Sequence, residues 1–134
     1  MFKIKSSKKQ EIIDITDKIR DFVSKSSIRE GLCNVFVRHA TAAIIINENY
    51  DHLVCEDILS TLNRLVPEHA NYKHDKIDNN SHAHIKASIL GPSVSIPISS
   101  EKLQLGTWQG IGLVEFDGPR EREVTVTITK AEKI

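Results

Sequence analysis

Histidine supplies the densest chemistry in this sequence: of six in the chain, His69, His74, His82 and His84 fall within sixteen residues. His82 and His84 are two apart, so an extended backbone there projects both imidazoles from one face. A divalent transition metal needs neutral imidazole nitrogens converging to within ~2 Å, with carboxylate or water completing the shell. The spacing matches no helical His-Glu-x-x-His signature, and solvated loop histidines, His69 and His82 above all, are the plain alternative. A second chemistry is anion binding. Arg38 and Arg120 each adjoin small, turn-forming residues, and a guanidinium fork matches phosphate oxygens in pairs. Gly91-Pro92-Ser93 adds a backbone amide and a hydroxyl. An arginine that simply faces water is the ordinary reading of either residue.

Glu115 stands inside the apolar segment 112–116, where a carboxylate needs a cation, a metal or a proton unless that face meets solvent. Arg38, His39 and Thr41 open another apolar run, 42–46, which Asn47 and Glu48 close with Asp51 just beyond. Gly106, Gly110 and Gly112 surround the only tryptophan, a pattern of close backbone approach to a ligand or another chain. Trp108 itself reads as a structural residue of core or interface, with its neighbouring backbone near the site. Neither a Gly-x-x-x-x-Gly-Lys loop, a Gly-x-Gly-x-x-Gly fingerprint nor a Gly-x-Ser-x-Gly elbow occurs, and neither Cys33 nor Cys55 has an activating base beside it in sequence. Covalent catalysis has no specific support.

The elements that must position these groups follow from periodicity. Residues 2–5, 11–15, 32–37 and 93–98 pattern as strands, with Pro97 suited to an edge or irregular place. The run 42–46 reads as a strand covered on both faces. Two more strands, 110–116 and 123–129, flank the Asp117-Gly118-Pro119 turn. Thr16 or Asp17 can cap a helix bearing Ile19, Phe22, Val23 and Ile28 and ending before Gly31. A longer helix runs from an Asp51 cap to Pro67, with Leu53, Val54, Ile58, Leu62, Leu65 and Val66 on one stripe. Residues 67–82 are too polar to bury and read as one long loop, of the kind that carries function. The expectation is α+β, strand-rich, with one main and one smaller helix.

The bulk numbers bound the rest. A chain of 134 residues fits one domain, 1–134, with 40% hydrophobic and 27% charged residues and zero net charge. Neutral balance argues against nucleic acid or an anionic membrane as partner. No apolar run reaches the ~20 residues of a membrane span, and the first residues lack a signal peptide's apolar stretch. Cys33 and Cys55 suit reduced thiols of a cytoplasmic protein.

Taken together, His39-Ala40-Thr41-Ala42-Ala43 with Asn47-Glu48, Leu65-Val66-Pro67, Tyr72-Lys73-His74, Ala83-His84-Ile85-Lys86, Gly91-Pro92-Ser93 and Gly106-Thr107-Trp108-Gln109-Gly110-Ile111 resemble the YjbQ family, also called the secondary thiamine-phosphate synthase family. The resemblance runs from about residue 10 to Arg120 and beyond. It implies a compact YjbQ-like β-sandwich of mixed sheets, assembled as a homotrimer with polar clusters near subunit boundaries. It implies a site with His39, His74 and His84 as ligands of a divalent metal, Zn or Mg. Glu48, Glu115 and His39 would be catalytic, and Arg120, Arg38, Thr41 and Ser93 would hold phosphate. His69 and His82 fall where the family does not require histidine. The segment before Ala83 departs from the family, with one carboxylate, Asp78, and no proline. The implied activity joins a hydroxymethylpyrimidine diphosphate to a thiazole phosphate, releasing pyrophosphate. With only Tyr50, Tyr72 and Trp108 for ring stacking, that activity reads as a side role. The alternatives are a metal-dependent hydrolase of a small phosphorylated metabolite, with Glu48 as base, and a non-catalytic trimer that binds such an anion.

Overall fold

Strand β4 (Ala42–Asn47) divides the molecule, because its successive side chains serve two different cores. Ala42 and Ile44 join one buried cluster, while Ala43 and Ile45 belong to the other. The computed structural model describes residues 1–132. β4 pairs with β7 (Gly110–Glu115), and β7 with β2 (Glu11–Asp14), giving a three-stranded sheet with β7 central. The other sheet has five strands: β1 (Phe2–Lys5), β8 (Glu121–Lys130), β3 (Gly31–Val37), β5 (Ser93–Ser99) and β6 (Lys102–Leu103), in that order. Every pairing among these strands is antiparallel, so the sheets are not mixed as expected.

The first core lies between the sheets and is closed at one end by α1 (Thr16–Ser26) through Ile19 and Val23. Cys33 is sealed there, and burial pushes its thiol up to about 11. Pro97 sits one strand in from the edge, where its carbonyl accepts from the Gln104 N–H beside the two-residue β6. Thr16 does not cap α1. Asp14 accepts from the Thr16 N–H, and the Thr16 hydroxyl instead receives the Ile111 N–H at 2.8 Å, tying helix to sheet.

The second core lies on the far face of the three-stranded sheet, under α2 (His52–Leu65) and α3 (Ser81–Leu90). Asp51 caps α2 as its position predicts, accepting from Leu53 N–H at 2.8 Å. Of the apolar stripe, Leu62 and Val66 are buried but Leu53 and Leu65 remain exposed. The polar stretch 67–82 is not one loop: it holds a 3-10 turn at Lys73–Lys76 and leads into α3 at Ser81. His82, Ala83, Lys86 and Ala87 are buried, the spacing of one helix face. His82 and His84 therefore point about 200° apart around the helix, and the expected extended pair does not exist. No helix among the described residues is long and apolar enough to cross a membrane.

Lys86 is fully buried, and its ammonium donates to Asn63 Oδ1 at 2.6 Å and to His82 Nδ1 at 2.8 Å. Burial lowers the pKa of both, with Lys86 the next cause for His82. The charges facing His82 are Lys86, Glu68, Lys9 and Asp117. Because the folded His82 resists protonation, the unfolded chain binds this proton first. Stability is thus full above about pH 6.5 and falls as pH drops through the folded value. Thermal unfolding should shift down on going from about pH 7 to about pH 5, and His82→Gln should flatten that decline. Parallel curves for the two proteins would remove His82 as its source.

Candidate functional site

The inward face of β7 carries Ile111 and Leu113 into the core and ends on Glu115; that of β8 begins with Arg122 and continues through Val124. The turn at residues 116–120 crosses from one sheet to the other, so these two charges meet between the sheets. Both are sealed from solvent. Arg122 grips the carboxylate in bidentate fashion, Nε to Oε1 at 2.9 Å and Nη2 to Oε2. Ser6 Oγ donates to Oε1 at 2.7 Å and the Asp117 N–H to Oε2 at 3.0 Å. Glu115 is thereby fully engaged, as a buried carboxylate must be. Arg122 Nη1 keeps no protein partner among the described residues.

Arg122 Nη2 also donates to Thr41 Oγ1 at 2.8 Å. Thr41, fully buried, aims both its N–H and its hydroxyl at His39 Nδ1, at 3.2 and 3.0 Å. His39 is exposed, and its pKa is lowered by partial burial and then by Arg122 and Arg120. It lines a groove of about 400 Å³ with Arg38, His84, Ser88 and Pro92. His84 also borders a hollow of about 380 Å³ with His74 and Tyr72, and the His74 and His84 rings meet edge to face at 5.0 Å. The three histidines singled out from sequence thus form a strip with His84 in the middle. Arg38 pairs with Glu123 at 3.2 Å, and Arg120 with Asp117 at 2.9 Å, both half out in solvent. Ser93 is exposed opposite Phe36 at the start of β5, one residue from Pro92.

Glu48 is elsewhere. It follows the far end of β4, separated from His39 by a six-residue strand, roughly 20 Å at ~3.3 Å per residue. There it lines a second cavity, about 330 Å³, with Asp14, Arg20, Asn49, Tyr50 and Trp108. Trp108 is 73% and Tyr50 92% exposed, so Trp108 is displayed rather than packed into this chain's core. The Gln109 side chain closes the displaying turn by accepting the Gly106 N–H at 2.8 Å. The glycines have a local cause as well: a Cβ on Gly112 would lie 2.9 Å from Asn49 Nδ2, and that buried side-chain amide has no hydrogen-bond partner among the described residues.

The family model for YjbQ-like UPF0047 proteins matches residues 1–131. A UPF0047 protein of Archaeoglobus fulgidus is 50% identical over 123 residues, covering 92% of this chain and 94% of that protein. UPF0047 protein YugU of Bacillus subtilis is 41% identical over 120 residues, 89% of either chain. Among solved structures, a YjbQ/UPF0047 protein of Clostridium acetobutylicum superposes with TM-score 0.92 at 48% identity, covering 96% of this chain and 98% of that one. A YbjQ-like protein of Sulfolobus solfataricus gives 0.94 at 42% identity, with 97% and 94% covered. The chain belongs to the YjbQ family.

In this YjbQ chain the residues singled out from sequence divide between two ends of β4. His39, Thr41, His84, Glu115 and Arg120 gather at one, Glu48 and Trp108 at the other. Two assigned roles change with the geometry. Thr41 has no exposed surface for phosphate and spends its hydroxyl on His39 and Arg122. Glu115 is sealed from solvent and its carboxylate is bound by Arg122. Sequence reasoning passed over Arg122, because Glu-Arg-Glu resembles a solvated strand; the signal was Glu115 itself, an apolar-strand carboxylate that required a cation. Arg122→Ala should cost about 3–5 kcal/mol in urea unfolding by stranding Glu115. A Glu115→Leu, Arg122→Met double variant should lose far less than the single changes summed, whereas additive losses would mean the pair is uncoupled.

Proposed function

We propose that this protein is a transferase of the thiamine-phosphate synthase type, joining a hydroxymethylpyrimidine diphosphate to a thiazole phosphate and releasing pyrophosphate, beside another role in the cell. The observation that carries the reading is the division just described. One end of β4 gathers arginine and imidazole groups; the other displays two aromatic rings over a carboxylate. A reaction between a diphosphate and a second ring compound asks for those two half-sites. On this reading Arg120, Arg38 and His39 take the charge that develops on the departing diphosphate. Ser93 is within reach of the same groove. Trp108 and Tyr50 orient the acceptor, whose ring nitrogen bonds the pyrimidine's methylene carbon through its lone pair as the C–O bond to diphosphate breaks, and Glu48 faces the positive charge that develops on that ring.

The half-sites are too far apart to work within one chain, so the reading includes a homotrimer in which Glu48 and Trp108 of one copy face His39 and His84 of the next. Burial of the aromatic pair in that contact would also keep water from the reacting carbon. Among the described residues no three His, Cys, Asp or Glu side chains of one chain are placed to hold a divalent Zn or Mg ion.

His84→Ala and Glu48→Ala should each lower thiamine-phosphate formation by at least ~100-fold. Co-refolded mixtures of the two inactive variants should regain about a quarter of wild-type activity, since one interface in four then holds both intact residues. Mixtures as inactive as their components would refute the shared site.

A further inference from the structure

We infer that His39 serves its ligand as a neutral hydrogen-bond donor, with Nε2–H turned outward to an anionic phosphate-type oxygen, and not as a metal ligand or base. The inference rests on the reading above for the phosphorylated nature of the ligand. Its ground is a chain of obligatory donors. A backbone N–H can only donate, so the Thr41 N–H at 3.2 Å makes His39 Nδ1 an acceptor. Arginine has no acceptor, so Arg122 Nη2 must donate to Thr41 Oγ1. Because the Thr41 N–H has already made His39 Nδ1 an acceptor, the Thr41 hydroxyl at 3.0 Å donates to it as well.

Both interactions demand the lone pair of Nδ1, and a neutral ring must therefore carry its hydrogen on Nε2. A metal-binding imidazole has the opposite arrangement: the second nitrogen donates to a carboxylate or carbonyl while the ligating one is bare. Among the described residues, the hydrogen bonds of His39 Nδ1 run to the Thr41 N–H and hydroxyl, not to a carboxylate or carbonyl. General-base action through Nε2 needs the same bare nitrogen and is disfavoured for the same reason. Donation remains, and a neutral imidazole is a competent electrophile toward a developing oxyanion. The two largest charges acting on the ring, Arg122 and Arg120, and Arg38 in the same groove favour an anionic acceptor. Glu115, Arg122 and Thr41 are positioning residues in this account: they set the tautomer and never touch the ligand.

Two measurements test it on the full-length, metal-free protein. Long-range proton–nitrogen NMR at neutral pH should report the Nε2–H tautomer for His39; an Nδ1–H tautomer overturns the assignment. In calorimetry with inorganic pyrophosphate, His39→Ala should weaken binding ~10-fold or more, whereas His39→Gln, which keeps an N–H near the Nε2 position, should stay within ~3-fold of wild type. Equal losses in both variants overturn the inference, and wild-type binding that requires added Zn²⁺ or Mg²⁺ would make His39 a metal ligand. No pyrophosphate binding by wild type, or none of it dependent on His39, also overturns the inference. Thiamine-phosphate formation assayed in the same preparations separates the two claims. If it is absent while the pyrophosphate results hold, only the synthase reading falls.

Discussion

The ion pair of Glu115 and Arg122 is the constraint from which the site follows. Two opposite charges enclosed between sheets contribute little net stability, because each has surrendered its hydration. What they fix is geometry. The carboxylate is held by four donors, two from Arg122 and one each from Ser6 and the Asp117 backbone, so it cannot rotate away. The guanidinium is planar and rigid, and its remaining reach ends on Thr41. Thr41, so held, donates its backbone N–H to His39 Nδ1, which fixes that nitrogen as an acceptor. An interior interaction thus decides which nitrogen an exposed histidine offers to solvent.

Two cores, one on each face, explain why β4 is so apolar. The strand must pack against both cores, leaving no room for function along its length. Polar residues are confined to its ends. Thr41 enters the relay at one end, and Glu48 and Asn49 emerge at the other beside the displayed Trp108. Six residues of strand therefore set the separation of the two clusters.

Much of this was legible in the residues. The two-sided burial of 42–46, the Asp51 cap and the turn at residues 117–119 are local signals, and the structure keeps them. The grouping of His39, His74 and His84 followed from the family resemblance, and the fold sets them along one strip. What sequence did not disclose has a common cause: polar residues doing interior work. α3 was hidden because its buried face is built from His82, Lys86 and two alanines, which leaves no hydrophobic periodicity. Arg122 was hidden between two glutamates, and the buried Asn49 looked like any turn residue. Trp108, expected in core or interface, lies outside this chain's core.

The most direct measurement is a crystal structure of the protein soaked with pyrophosphate. The account predicts one pyrophosphate oxygen about 2.7–3.1 Å from His39 Nε2, with Arg120 on the same anion and the Thr41 N–H still on Nδ1. Pyrophosphate seated only beside Glu48 and Trp108, or reaching His39 through a metal bound to Nε2, would contradict it.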